Sequence, residues 1–229
     1  MFWEEDEDKT LPYNVPEDVI DVLYSIQCKR LTIDHAWALS QAILKELPWL
    51  EEEDNSGIHQ IHVAESNNGW LRPENEDGAL LYPSKRTKFT LRIPGGKLDA
   101  AKKLTGRTLD INGHELTIGE SKKKNLVNSS VIFARYVATD ENEDENDFLI
   151  RIHKEIKNKT GINAKKMLCG KSQIIKTPDL KLLTRHLMIA DLDSDPSIRI
   201  QQTGLGKYRK LGCGIFLPHK GIKTLKPTE

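Results

Sequence analysis

The chain has 229 residues, of which 38% are apolar and 30% charged, with 34 Lys and Arg against 34 Asp and Glu, the composition of a soluble globular protein holding one large domain or two smaller ones. No apolar run approaches the roughly 20 residues that span a bilayer, and the acidic start Met1-Phe2-Trp3-Glu4-Glu5-Asp6 lacks the basic flank of a secretory signal, so the expectation is a cytoplasmic protein. Cys28, Cys169 and Cys213 lie far apart with no CxxC pair, which argues against a disulfide framework and against a structural zinc.

The charge balance conceals a gradient. Residues 1–80 carry 5 basic and 18 acidic side chains and residues 81–229 carry 29 and 16, so a net of −13 is followed by +13. A basic second part fits a polyanionic partner, with a merely solvated basic face as the plain alternative.

Residues 1–16, with five acids, Pro12 and Pro16, show no apolar period and read as a loose leader. The segment 19–28 roughly alternates apolar and polar residues, as a half-buried strand does. Asp34 is placed to cap a helix whose Ala36, Leu39, Ile43 and Leu47 share a face, with Pro48 near its end. Two alternating segments, 58–63 and 88–93, read as a strand pair. A short helix over 97–104 ends at Gly106, and 107–118 returns to strand with a hairpin turn at Asn112-Gly113.

This order, β-α-β-β-α-β, is that of a ferredoxin-like unit, two helices on one face of a four-stranded antiparallel sheet. It then restarts: 131–137 reads as a strand, and the acidic run 140–147 as the solvated N-terminus of a helix bearing Phe148, Ile152 and Ile156 and ending at Gly161. Strands over 180–190, 197–202 and 213–217 complete a second copy. The fold expected is α+β, two tandem ferredoxin-like (RRM-like) modules over 17–124 and 125–229, with the boundary near Lys122-Lys123-Lys124.

The densest signal is 203–216, Thr-Gly-Leu-Gly-Lys-Tyr-Arg-Lys-Leu-Gly-Cys-Gly-Ile-Phe. Gly204, Gly206, Gly212 and Gly214 would let backbone amides converge on an anion, and Lys207, Arg209 and Lys210 would add charge-assisted bonds to phosphate. The nucleotide-loop pattern GxxxxGK[ST] is absent, and Arg209 stands where GxGxxG needs its third glycine. Tight turns around a strand are the plain alternative.

With the duplicated order, this loop resembles the repeat-associated RNA-binding (RAMP) proteins of CRISPR systems, and among them the CRISPR repeat endoribonucleases, the sixth Cas family. GLGKYRKLGCGIFLPHK over 204–220 and SIRIQQ over 197–202 are most similar to its MYXAN-subtype branch, and DHAWAL over 34–39 resembles the start of the family's first helix. The resemblance implies an endoribonuclease, free of metal and cofactor, that cuts precursor CRISPR RNA within stem-loop repeats. In this chemistry a ribose 2′-OH attacks the adjacent phosphorus and leaves a 2′,3′-cyclic phosphate and a 5′-OH. It places the catalytic histidine after the first helix, which selects His59, with His62 and His35 as alternatives. A family tyrosine in the helix and a lysine soon after the histidine have no counterpart here, so the phosphorane cation stays open among Lys45, Lys85, Arg86 and Lys88. RNA contacts are expected from the glycine-rich loop including Tyr208, from Lys85 and Arg86, and from Lys122, Lys123, Lys124, Lys165, Lys166 and Arg185, with Lys171 and Lys176 beside them. Phe216 is a second stacking candidate. His114, His153, His186 and His219 read as surface or core residues, with His219-Lys220 abutting the glycine-rich segment and so placed to touch RNA. A non-catalytic RNA-binding subunit of an effector complex is the alternative function.

Overall fold

The computed structural model describes residues 13–63 and 78–219. In chain order they form β1 (Val19–Gln27), β2 (Leu31–Thr32), α1 (Ala36–Glu46), β3 (Gly57–Ile58), β4 (Leu80–Leu81), β5 (Lys88–Pro94), α2 (Leu98–Ala101), β6 (Thr108–Ile111), β7 (His114–Asn125), β8 (Ile132–Ala138), α3 (Glu145–Thr160), β9 (Lys166–Lys176), β10 (Lys181–Ala190), α4 (Ser194–Thr203) and β11 (Leu217–Pro218). None of these helices is long and apolar enough to cross a membrane.

The strands make two larger antiparallel sheets, in the orders β3-β5-β1-β7-β6 and β11-β8-β10-β9, and a small pair β2-β4. In the first, Ile20, Val22, Tyr24 and Ile26 alternate onto one face and meet Leu39 and Ile43 of α1 and Leu104 after α2. In the second, Ile132, Ala134, Leu187 and Ile189 meet Phe148, Ile152 and Ile156 of α3 and Ile200 of α4. Each sheet thus has one helix-covered face, and apolar burial is the main force holding helix to sheet.

Local signals explain most elements. Asn112 (φ 53°) and Gly113 (φ 78°) carry the β6–β7 turn, the positive-φ pair that matches strand twist. Asp144 accepts from the amide of Asp147 at 2.8 Å, so the acidic run does open α3, and Gly161 closes it in a left-handed conformation. Tyr13 and Val15 pack against Val19, Leu126 and Ile198, so the last residues of the expected leader are attached; residues 1–12 lie outside the described residues.

Four expectations are corrected. Asp34 does not cap α1: His35 occupies the cap position without a side-chain bond, and Asp34 instead accepts from the amide of Lys176 at 3.3 Å. The 58–63 strand leaves the ladder after the amide of His59 bonds Thr90 O at 3.1 Å. Residues 197–202 are helix, not strand: Ile198 and Ile200 mimic alternation, but Ser197 and Gln201, one turn apart, are both buried and bonded to each other at 3.3 Å, a helical spacing. In 213–217 the chain turns through Gly214, and only Leu217–Pro218 pairs, with β8. The strands not expected are the short pair β2-β4 and β9, an edge strand paired along its length with β10.

Candidate nucleic-acid interface and active site

The 55–61 segment and the glycine-rich segment pack against each other. Gln60 donates to Leu211 O at 3.0 Å. A Cβ at Gly212 would come within 2.9 Å of the Gln60 side chain, and one at Gly57 within 2.7 Å of Ile215, so these glycines permit the close approach of two backbones.

The glycine-rich segment is not a cradle of open amides, which corrects the expectation for Gly204, Gly206, Gly212 and Gly214. The amide of Gly204 bonds Ile200 O at 2.8 Å, that of Gly212 bonds Arg209 O at 3.1 Å, and that of Gly214 bonds Tyr136 O at 2.7 Å. Gly206 donates to both carboxylate oxygens of Glu155, at 2.9 and 3.0 Å. Lys159 pairs with Glu155 at 3.0 Å and donates to Gly204 O at 2.8 Å.

Arg209 and Lys210 also point inward. Arg209, 8% exposed, donates to Ser56 O, Asn55 O and Gln202 O at 3.1–3.2 Å, and burial, with Arg92 nearby, pushes its pKa down to about 9. Lys210 donates to Glu53 O at 2.7 Å and to Ser56, and burial, with Arg209 nearby, brings it down to about 8. Both tie the loop to the 53–56 segment. Lys207 and Tyr208 remain exposed and edge a groove of about 690 Å³ that also touches Arg151, Lys154, Lys181 and Gly206.

Beneath the segment lies a buried polar network that sequence reasoning missed. Asp21 and Arg92 face each other in register on β1 and β5, on the side away from Ile20 and Val22. Arg92, fully buried, grips Asp21 through two bonds of 2.8 and 3.1 Å. Its remaining nitrogen donates to Gln201 O at 2.9 Å and Phe216 O at 2.7 Å. Burial alone would raise the Asp21 pKa; Arg92 above all, and His59, override this and hold the carboxyl well below the usual range. The available signal was opposite charges inside apolar strands, Ile20-Asp21-Val22 and Leu91-Arg92-Ile93.

His59 belongs to this network. Its Nε2 lies 3.7 Å from Asp21 Oδ1, its side chain is 13% exposed, and Nε2 is buried without a hydrogen-bond partner. Burial pushes the imidazole below its ordinary pKa against the pull of Asp21, and Arg92 and Arg209 act in the same direction as burial. The ring is therefore neutral at pH 7. His35, 2% exposed, meets Thr32 O through Nδ1 at 2.9 Å and accepts from the Ile61 amide through Nε2 at 3.0 Å, so it braces the segment. His62 stacks on Tyr136 of β8 with ring centroids 6.0 Å apart.

Of the other candidates, Lys45 is exposed on α1, which covers the face of the first sheet opposite His59, so it is remote from that ring. Lys85 and Arg86 are exposed in the turn that enters β5. Lys122, Lys123 and Lys124 are exposed on β7, with Lys123 paired to Glu17. Lys165 and Lys166 are exposed at the start of β9, and Lys166 pairs with Asp191 at 2.7 Å. Arg185 is turned inward: it donates to Glu143 O at 3.0 Å and lies 5.9 Å from the centroid of the buried Phe148 ring. Phe216 is fully buried and cannot offer a stacking face; Lys220 lies outside the described residues.

Residues 20–221 match the family model described as Cas6 Crispr. The chain belongs to the Cas6 family. A curated Cas6 relative, the CRISPR-associated endonuclease of Myxococcus xanthus (strain DK1622), is 28% identical over 199 residues, covering 87% of this chain and 81% of the relative. Among solved structures, a Cas6-related protein of Pyrococcus furiosus is similar with a TM-score of 0.61 at 12% identity, covering 88% of this chain and 99% of that one. A structure described as a RAMP protein binding different RNA substrates has a TM-score of 0.62 at 12% identity, covering 86% and 98%. At that identity the likeness is one of fold, and it gives this Cas6 chain the architecture of known family structures.

Proposed function

We propose that this chain cuts precursor CRISPR RNA within its stem-loop repeats, without metal, through attack of a ribose 2′-OH on the neighbouring phosphorus. The P–O5′ bond breaks as the P–O2′ bond forms, giving a 2′,3′-cyclic phosphate and a 5′-OH. The observation that carries the reading is family membership across 20–221 combined with histidines on the segment that meets the glycine-rich loop. The two sheets, with their helices, are read as ferredoxin-like modules over 17–124 and 125–229; the strand orders of both sheets support this.

The 2′-OH proton is assigned to His62. Supporting this, the His59 ring is buried beside the Asp21 and Arg92 pair, its Nε2 3.7 Å from Asp21 Oδ1 and out of contact with solvent, whereas the His62 ring is half-buried and sits at the junction of the two sheets against Tyr136. Lys85 and Arg86 are assigned the phosphorane charge, because they are exposed in the turn that enters β5, the strand that β3 pairs with just before the histidines. RNA phosphates are assigned to the exposed Lys207, Lys122, Lys124 and Lys165, and a base to Tyr208.

The test is incubation with repeat RNA in EDTA. Wild type should yield a cyclic phosphate, and His62→Ala should cut about 100-fold more slowly or worse with unchanged affinity. Loss of cutting in a folded His59→Ala, with His62→Ala active, would return the role to His59. Tight binding without cutting by wild type would make the chain a non-catalytic RNA-binding subunit.

A further inference from the structure

Among the described residues, helix covers only one end of the outer face of the second sheet, where the start of α1 meets it. Along β10, Leu187 and Ile189 point into the core under α3 and α4, so the alternate residues Leu182, Thr184, His186 and Met188 point the other way. One end of that outer face, with Tyr136, Ile175 and Leu182, is closed by Ala36, Leu211 and Cys213. The other end carries a different set. Phe133 on β8 and His186 on β10, the two central strands, have ring centroids 5.7 Å apart at 36°. His219 meets the Phe133 ring edge-on at 5.6 Å, and the Arg135 guanidinium lies 5.1 Å from its centroid. Met188 stands opposite Phe133, and Leu168 stands opposite Met188 with 63% of its surface exposed.

Two backbone features shape this end. The β8 and β9 strands each carry one extra residue opposite His186, bulges that re-aim a side chain. Gly170 on β9 also makes room, since a Cβ there would come within 3.1 Å of the His186 ring.

We propose that this end of the outer face, centred on Phe133, His186 and Arg135, is a stacking platform for unpaired bases of single-stranded RNA. Flat aromatic rings at a half-buried sheet surface accept the face of any base, and an arginine beside them adds attraction to both base and phosphate. Exposed Lys165 and Lys171 supply further positive charge for the strand. The platform shares its sheet face with Tyr136, on which His62 stacks, so RNA lying there leads towards the proposed site of cutting. The inference rests on the reading of the chain as an RNA-cutting enzyme, and it adds where the unpaired part of the substrate lies.

The test uses Phe133→Leu, which keeps apolar bulk but removes the ring, and His186→Ala, at the half-buried rim. Affinity is measured by fluorescence anisotropy for an unpaired oligouridylate of about 12 nucleotides and for a repeat stem-loop without single-stranded flanks. Thermal unfolding of each variant is followed alongside. Each variant should bind the oligouridylate about 5- to 100-fold more weakly, hold stem-loop affinity within about twofold, and melt as a folded protein. Unchanged oligouridylate binding by folded variants, or equal loss for both RNAs, overturns the platform. If wild type binds neither RNA, the function proposed above fails with it; if wild type cuts repeat RNA and only the variants' behaviour is wrong, the platform alone fails.

Discussion

Replacing Arg92 with Met removes the cation bonded to a buried carboxylate. Asp21 is 5% exposed and Arg92 is fully buried, so the variant strands an uncompensated charge, at a cost of about 3–5 kcal/mol. It also deprives Gln201 O and Phe216 O of their donor, worth about 1 kcal/mol each. Against a total stability of about 5–15 kcal/mol, guanidinium unfolding at pH 7 should show a large fall in midpoint. Acidification should act in opposite directions on the two proteins. In wild type, Asp21 has its pKa held low, so stability is full above about pH 4 and declines as pH falls further, because the unfolded chain takes up the proton first. In Arg92→Met, burial raises the carboxyl, so lowering the pH towards 4 protonates it in the folded state and recovers part of the loss. The double variant Arg92→Met with Asp21→Leu removes both charges and should recover most of the stability, short of the two carbonyl bonds. A single variant costing under about 1 kcal/mol, or a double as unstable as the single, would refute the account.

Glu155→Ala leaves the Gly206 amide without its carboxylate and should cost about 1–3 kcal/mol; it also takes a negative charge out of the groove beside Lys207, so an RNA titration should show tighter binding, and weaker binding would count against the groove. Gly214→Ala places a Cβ within 2.0 Å of Leu205 O at a φ of +63°, which should lower Tm by about 4–10 °C, whereas Gly96→Ala, with nothing within 4 Å and no positive φ, should melt like wild type. Cys213 is buried, and burial pushes its thiol up to about 12, so only Cys28 and Cys169, both half-buried, should react with a thiol reagent in the native protein; fast reaction at Cys213 would show that its surroundings open.

What could be read from the residues followed physical signal strength. The strand at 19–27 showed in its alternation, while the helix bearing Ala36, Leu39 and Ile43 before Pro48, the Asn112-Gly113 hairpin and the helix that follows the acidic run and ends at Gly161 joined periodicity to a stop or turn residue, and each formed. The helix Ser194–Thr203 was misread because Ile198 and Ile200 are two apart, a spacing that strand and helix both allow over so few residues. The edge strand Lys166–Lys176 went unread because one face is exposed and its residues are largely polar. At the site, cations beside glycines suggested phosphate, yet Arg209 and Lys210 serve backbone carbonyls. Which use a cation serves depends on burial, and burial depends on a partner segment some 150 residues away in the chain. Asp21 and Arg92 were visible only as misfits in apolar strands.

Because the amides of Gly204, Gly206, Gly212 and Gly214 are all spoken for by the protein itself, the glycine-rich segment has its shape before any ligand arrives. A nucleic acid that lands on it meets a finished mould and loses little chain entropy in the protein to shape it. Association should therefore proceed without a slow ordering phase, and changes to those glycines should register first as lost folding, with weaker capture of RNA following from that.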